Sequence, residues 1–224
     1  MSWHRRALWP ILFCAALSAA DFRPPAGTRS AARRPGAETI LPGGRIVTPL
    51  GRQFNTGPGA FGLALSPDGK LAVTANGGPN RFSLTVLDMS GEPWRTRELR
   101  ARTREEKAAP GEDDWRSVFM GLAFAADRRL FASEGNSGRV REISLPGGQV
   151  HRVLELNQGQ WRDSYSGDLA YDAQRRILYV VDQANFRVAV FDARSGRMLA
   201  SVRTGRLPFK AALSPDARRL YVTN

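Results

Sequence analysis

The side chains that most often carry out nucleophilic or acid–base chemistry are scarce in this sequence of 224 residues. Cys14 is the only cysteine, and His4 and His151 are the only histidines. These counts exclude an internal disulfide and a cysteine–histidine metal cluster, and a Ser-His-Asp triad in the body of the chain would have to use His151. Because Val150 and Val153 flank His151 in a strand-like run, we expect its ring to face solvent.

A second set of groups can hold a ligand without covalent chemistry. These amides, one carboxylate and one indole follow apolar runs or lie in the polar stretches between them: Asn76, Asn80, Asn136, Asp182, Asn185 and Trp161. Such groups bind by hydrogen bonding and stacking, and none is a nucleophile paired with its base. Asn and Asp also stabilise turns by bonding nearby backbone, so the same residues have a purely structural interpretation.

The elements that must position these groups repeat along the chain. Four segments each combine a short apolar run, a polar turn and a second apolar run: 62–76, 121–134, 167–182 and 211–224. In the first turn, which runs from Ser66 to Gly69, proline presets the first φ angle and the Asp-Gly pair tolerates the angles that follow. Each segment is therefore predicted to form a β-hairpin.

The spacing of the hairpins predicts an all-β propeller. Arg129 and Arg176 are 47 residues apart and Arg176 and Arg219 are 43 apart, close to the roughly 40–45 residues of a four-stranded blade. The first interval is longer, which we attribute to a charged insert at 92–116. Further strands are predicted at the ends of the repeats, namely 82–89, 139–145 and 187–192 as third strands and 149–156 and 198–204 as fourth strands.

The repeats also resemble a known family. Residues Leu220 to Asn224 read LYVTN, the signature of bacterial YVTN β-propeller repeat proteins, and Ser66 to Lys70 match the turn that precedes it. The second and third repeats depart from the signature, because they end in Glu134 and Asp182. The resemblance covers about residues 40–224 and implies antiparallel four-stranded blades.

A finer resemblance concerns residues 57–65 and 118–138. These segments look most like exported propellers that, in some bacterial chains, precede an alkaline-phosphatase-like phosphoesterase domain. This resemblance implies a downstream phosphoesterase domain in the full chain.

Propeller geometry brings the candidate residues to one face. The loops between second and third strands share a face with the loops between blades, and we call it the loop face. It would contain segments 76–81, 135–138, 183–186, 53–60, 157–166 and 205–208. We predict a non-covalent ligand site there, formed by the six residues named above, with no catalytic residue, metal ion or cofactor.

The number of blades is the next expectation. Residues 54–224 account for about three and a half blades, whereas closed propellers have about four to eight. We interpret them as a propeller that is incomplete at its C-terminus in this sequence. The alternative is a four-bladed ring closed by a strand from 40–50, within a Pro/Gly/Arg-rich linker at 21–53.

The N-terminus is typical of a secretory signal peptide. His4 to Arg6 form a basic start, Ala7 to Leu17 are apolar, and Ser18 to Ala20 are small. Cys14 would suit a lipid anchor, but Phe13 occupies a position where that signal requires a small residue. We therefore assign residues 1–20 to a signal peptide and predict a periplasmic or extracellular protein.

The charge distribution bears on the partners. The formal net charge is +12, but beyond residue 53 the basic residues are scattered among acidic ones. Aromatic and basic residues are not interleaved as in proteins that stack nucleic-acid bases, so we predict no nucleic-acid partner. No segment after residue 20 is apolar enough for a membrane span.

Three functions are compatible with these residues. The first is an exported, non-enzymatic propeller that binds or scaffolds a polar ligand or a protein. The second is the N-terminal propeller of a longer phosphoesterase, with the metal site beyond Asn224. The third is a lactonase or a quinoprotein-type oxidoreductase, which needs converging ligands for a central metal or cofactor. Whether the chain is an enzyme stays open.

We expect cleavage after Ala20 during export, because a basic start, an apolar run and small residues occur in that order. Mass spectrometry of the protein from the periplasmic or culture fraction should find Asp21 as the first residue. Exported protein that still begins at Met1, or protein confined to the cytoplasm, would contradict the assignment.

Overall fold

The computed structural model describes residues 23–34, 37–78, 81–102 and 114–224. The proposed signal peptide and residues 103–113 of the charged stretch lie outside this part of the chain. Within it every regular element is a strand, and no helix has the length and hydropathy of a membrane span. The chain divides into two compact units, one ending at Gln53 and one running from Phe54 to Asn224.

The first unit contains one short hairpin. Its strands are β1 (Thr39–Ile40) and β2 (Ile46–Val47), which pair with each other. Ala32 adds a single antiparallel bridge to Ile40, whose side chain is buried. The interpretation of this segment as a closing strand of the propeller stays a prediction.

The second unit is an array of four-stranded antiparallel sheets, which confirms the predicted all-β, partial propeller. In each sheet the strands lie side by side in chain order. Blade 1 contains β3 (Ala60–Leu65), β4 (Leu71–Gly78), β5 (Arg81–Asp88) and β6 (Arg95–Arg100). Blade 2 contains β7 (Leu122–Ala126), β8 (Arg129–Ser133), β9 (Arg139–Ser144) and β10 (Gln149–Glu155). Blade 3 contains β11 (Ser166–Asp172), β12 (Ile177–Asp182), β13 (Arg187–Asp192) and β14 (Met198–Arg203), and a final hairpin pairs β15 (Ala211–Leu213) with β16 (Leu220–Val222).

One expectation requires correction. Residues 92–116 were predicted to be an insert, yet β6 forms within them and pairs along β5, with Glu98 opposite Thr85. This strand has no continuous apolar run because it is the outermost strand of its blade and is largely exposed. A strand that needs no buried face can consist of charged residues, and its apolar pattern is then too weak to detect.

The hydrophobic core lies between the blades. One cluster joins Val73 and Val86 of blade 1 to Leu130 and Ile143 of blade 2. A second joins Phe131 and four further residues of blade 2 to blade 3. Each blade therefore buries its apolar side chains against its neighbours, and the array depends on contact between successive sheets.

The predicted Ser-Pro-Asp turns form, and their polar side chains close them. Ser66 Oγ donates to Asp68 Oδ1 over 2.6 Å, and the amide of Lys70 donates to the same oxygen over 3.1 Å. The last hairpin repeats this pair of bonds at Ser214 and Asp216. In both turns the hydrogen bond from serine, followed by the backbone amide, lowers the pKa of the aspartate.

Phe131→Ala is expected to lower the free energy of unfolding by about 3–5 kcal/mol, because it empties a fully packed position between blades. Phe131 is 1% exposed. Val202 is the control: it pairs with Val188 inside the blade 3 ladder, but its side chain is 54% exposed. Val202→Ala should change stability by less than about 1 kcal/mol. Urea denaturation gives both values, and equal losses would contradict a core located between blades.

Candidate functional site

A buried polar network closes each complete blade at the loop face. In all three networks a polar side chain near the end of the second strand forms hydrogen bonds with side chains at the start of the third strand. The same network also holds the loop that enters the blade. We call this arrangement the strand-end clamp.

The blade 3 clamp is built on one ion pair. Arg187 Nε lies 2.8 Å from Asp182 Oδ2, and both side chains are fully buried. Arg187 Nη2 donates to the carbonyl of Leu156 over 2.8 Å, while the amide of Tyr165 donates to Asp182 Oδ1 over 3.1 Å. The ring of Trp161 covers the guanidinium at 4.2 Å. The loop from blade 2 to blade 3 is therefore tied to blade 3 by charge, hydrogen bonds and a cation–π contact.

The blade 2 clamp uses two arginines on one glutamate. Arg139 Nη2 lies 2.7 Å from Glu134 Oε2, and Arg141 Nε lies 2.6 Å from Oε1. Both guanidinium groups also donate to the carbonyl of Asp114, and Trp115 lies 4.9 Å from Arg141. A buried carboxylate with two arginines and an adjacent carbonyl is well compensated, so Glu134 is not placed to act as a general base.

The blade 1 clamp is uncharged. Asn76 Nδ2 donates to Ser83 Oγ over 3.1 Å and to Thr85 Oγ1 over 2.9 Å. The amide of Gly57 donates to the same threonine oxygen. A side chain at Gly57 would press on the polar ends of Asn76, Ser83 and Glu98, so glycine lets the entering loop approach the clamp closely.

The structure separates the six predicted site residues. Trp161, Asp182 and Asn185 come together in the blade 3 clamp, where Asn185 Nδ2 donates to Asp182 Oδ2 over 3.1 Å. Asn76 lies in the blade 1 clamp, and Asn136 is exposed in the loop between β8 and β9. Asn80 lies outside the described residues. A ligand-binding role for these residues stays a prediction, and the hydrogen bonds of Asn76 and Asp182 are directed to partners inside the protein.

Sequence reasoning missed a row of aromatic rings on the loop face. Phe61 and Phe119 have ring centroids 6.4 Å apart, and Phe119 meets Tyr165 edge to face at 5.0 Å. We call these three residues the aromatic row. Phe61 is 65% exposed, and the other two are half-buried. Burial raises the pKa of Tyr165, so its hydroxyl is protonated and able to donate at neutral pH.

Glycines at the inner strands explain why the rings meet. A Cβ on Gly62 would collide with the carbonyl oxygen of Met120, and a Cβ on Gly121 would collide with that of Gly167. The innermost strands of neighbouring blades therefore approach more closely than side chains allow. An aromatic residue lies one or two positions before each of Gly62, Gly121 and Gly167, and this spacing is the signal that identifies the row.

The loop that contains Asn136 lies beside the aromatic row. A Cβ at Gly135, where φ is +51°, would be 3.2 Å from Phe119 Cβ and 3.4 Å from the hydroxyl of Tyr165. Asn136 follows directly in the chain, so an exposed amide adjoins the rings. Rings with a neighbouring amide suit a ligand that has both an apolar surface and hydrogen-bonding groups.

A cavity of about 550 Å³ lies near the blade 2 clamp. Its lining includes Arg81, Arg102, Asp114 and Trp115. Arg81 pairs with Glu98 at 2.8 Å, and the amide of Arg102 donates to Asp114. Arg81 and Asp114 are thus each engaged by a partner within the described residues.

The histidine in the body of the chain is exposed on β10, as its sequence context predicted. Its Nε2 contacts the hydroxyl of Ser144, and Arg129 Nη1 lies 3.2 Å from the same nitrogen. Among the described residues no cluster of three or more His, Cys, Asp or Glu side chains is arranged to hold a metal ion.

Comparison with solved structures identifies the architecture. The chain is similar to Kuenenia stuttgartiensis hydrazine synthase (TM-score 0.56, 18% identity, 79% of this chain and 45% of that chain). It is also similar to the Pseudomonas aeruginosa periplasmic gluconolactonase PpgL (TM-score 0.57, 16% identity, 83% of this chain and 55% of that chain). A chain of the Mitotic Checkpoint Complex matches with TM-score 0.56, 14% identity and 73% and 45% coverage.

These neighbours share the propeller-like fold, and at such identities the likeness shows the fold alone. The chain spans about half the length of the solved structures that it matches. No protein-family profile matches the sequence, and no curated protein matches it.

Asp182→Asn is expected to destabilise the protein by about 3–5 kcal/mol, because it leaves the buried Arg187 without its counter-charge while keeping the size of the side chain. Asn136→Ala, on the same face but exposed, should cost less than about 0.5 kcal/mol. Urea denaturation followed by tryptophan fluorescence measures both. If both variants are equally stable, the clamp does not hold the blade together.

Proposed function

We propose that this chain is an exported, non-enzymatic β-propeller module of the YVTN type, which binds a peptide-like ligand or protein partner on its loop face. The observation that carries the proposal is the aromatic row, which is open at Phe61 and adjoins the exposed amide of Asn136. The proposal on export rests on the N-terminal sequence, and the family assignment rests on the YVTN signature.

The chemistry of the loop face favours binding over catalysis. Glu134 and Asp182 are buried and each is engaged by arginine, so neither is available as a base or a nucleophile. The accessible groups in and beside the aromatic row are rings and the amide of Asn136, which contribute contact area and hydrogen bonds. An aromatic or aliphatic side chain can pack on the rings while its backbone bonds Asn136 and the hydroxyl of Tyr165. Loops held on a rigid scaffold are a common location for such sites.

One alternative is the N-terminal propeller of a longer phosphoesterase. If the module precedes an alkaline-phosphatase-like phosphoesterase domain, it would bind a partner or substrate beside that domain. The lactonase alternative has a fold-level parallel in the periplasmic gluconolactonase. Calcium-dependent hydrolysis of a gluconolactone by the purified protein, abolished by a chelator, would favour that alternative over a binding module.

A capped Gly-Gly-Phe-Gly-Gly peptide should bind the purified protein, and its Gly-Gly-Ala-Gly-Gly counterpart should not, because only the first supplies a ring for the aromatic row. Saturable chemical-shift changes of the protein during titration measure the binding. Ring packing of this kind contributes about 0.5–1.5 kcal/mol beyond area burial, so binding should be weak and fast in exchange.

Two variants locate the site. Phe61→Ser should abolish the difference between the two peptides, because it removes the most exposed ring of the row. Leu207→Ser is the matched control, since Leu207 is also exposed, at 67%, but is not part of the row. Equal binding of both peptides, or an effect of Leu207→Ser alone, would overturn the assignment of the site.

A further inference from the structure

A second cavity lies beside the loop that joins blades 2 and 3. Its volume is about 310 Å³, at the small end of the roughly 300–1,000 Å³ of ligand pockets. Residues 158–161 of the loop form one side, and residues 198–201 of β14, the outermost strand of blade 3, form the other. All eight residues belong to the described chain, and none of them carries a charge. The cavity is therefore suited to a small, uncharged ligand.

Hydrogen bonds hold the loop side of this cavity in a defined turn. The amide of Trp161 donates to the carbonyl of Gln158 over 3.1 Å, and the amide of Gln158 donates to the carbonyl of Leu156 over 2.9 Å. Arg162 Nη1 donates to the carbonyls of Gly159 and Trp161 over 2.7 and 2.8 Å. Gly159 has φ +61°, in the region that favours glycine. The loop therefore has its shape before a ligand arrives, and binding requires little ordering.

The indole of Trp161 is the largest apolar side chain of the lining. It is half-buried, and the guanidinium of Arg187 lies 4.2 Å from the ring centroid. Arg187 is itself fully buried and paired with Asp182, so one face of the indole rests on a fixed support. A ligand in the cavity meets the rest of the ring, whose rigid flat surface spreads dispersion contacts over many atoms.

Neutral hydrogen-bonding groups accompany the indole. Gln158 Nε2 donates to the carbonyl of Glu155 over 2.6 Å, which leaves its Oε1 able to accept from a ligand. The amide of Gln160 is exposed and can both donate and accept. On the strand side Ser201 Oγ accepts from Arg187 Nη1 over 3.2 Å, and its hydroxyl can donate. The cavity thus combines one flat aromatic surface with donors and acceptors on both of its sides.

We propose that this cavity binds one ring of a neutral saccharide. The apolar face of the sugar packs on Trp161, and its hydroxyl groups bond the amides of Gln158 and Gln160 and the hydroxyl of Ser201. A pyranose ring fits each feature of the site, because it has a flat face of C–H groups and a rim of hydroxyl groups that both donate and accept. The C–H groups are weakly positive, and the face of an aromatic ring is negative.

The lining also discriminates between ligand classes. A charged ligand would lose hydration without gaining a counter-charge from residues 158–161 or 198–201. A purely apolar ligand would cover the amides of Gln158 and Gln160 without bonding them. The cavity shares no residue with the aromatic row, so saccharide binding neither requires nor excludes the peptide-like ligand proposed above.

Titration with simple sugars tests the proposal. The probes are the methyl pyranosides of glucose, galactose and mannose, and D-mannitol is the control because it has the hydroxyl groups without a closed ring. Each is added to the purified protein while the indole N–H signals are followed by NMR, and Trp161→Phe identifies the signal of Trp161 by its absence. At least one pyranoside should shift that signal in a saturable manner, and mannitol should leave it in place.

Two glutamine variants locate the site without touching the clamp. Gln160→Ala should weaken pyranoside binding by about 3- to 10-fold, the effect of losing one hydrogen bond. Gln174→Ala is the matched control, since Gln174 is also exposed but lies in the turn between β11 and β12, and it should leave binding unchanged. A Trp161 signal that no pyranoside shifts, an equal shift with mannitol, or equal effects of the two variants would each overturn the proposal. A shift caused only by the capped Gly-Gly-Phe-Gly-Gly peptide would assign the cavity to a peptide and overturn it as well.

Discussion

Blade-to-blade packing is the constraint on which the rest of this structure depends. A four-stranded antiparallel sheet has two faces, and here the buried residues of both core clusters are supplied jointly by neighbouring sheets. One blade therefore cannot bury its apolar side chains alone, and each added blade completes the core of the one before it.

The strand-end clamps hold the polar loops at the points where these loops enter the packed sheets. Glu134 and Asp182 accept from arginines that also bond the carbonyls of the entering loops. A buried ion pair gains little net stability over apolar residues of the same shape, but removing one partner is costly. The clamps therefore fix the position of the loops, while the hydrophobic clusters between blades supply most of the stability. In blade 1 an uncharged asparagine and two hydroxyl groups hold the entering loop in the same way.

The candidate site is a by-product of this close packing. Glycines let the inner strands approach until side chains no longer fit between them, and the aromatic residues just before those glycines are brought into contact. The rings therefore lie on a rigid frame and need no ordering when a ligand arrives, which lowers the entropy cost of binding. A carboxylate at the same place would have to stay charged and exposed to act chemically, and Glu134 and Asp182 are instead buried and paired with arginines in the clamps.

The sequence by itself determined the repeat, the hairpins, their Ser-Pro-Asp turns and the four-stranded blades, because these depend on local turn chemistry and on an alternation of apolar residues that is visible in each segment. It did not predict β6, since an exposed outer strand has no apolar pattern. It also could not distinguish a ligand-binding Asp182 from one paired with Arg187, because the same residue types suit both roles. Only the tertiary structure decided which polar groups are consumed by internal partners and which rings meet across blades. Each of these depends on contacts between residues that are far apart in the chain.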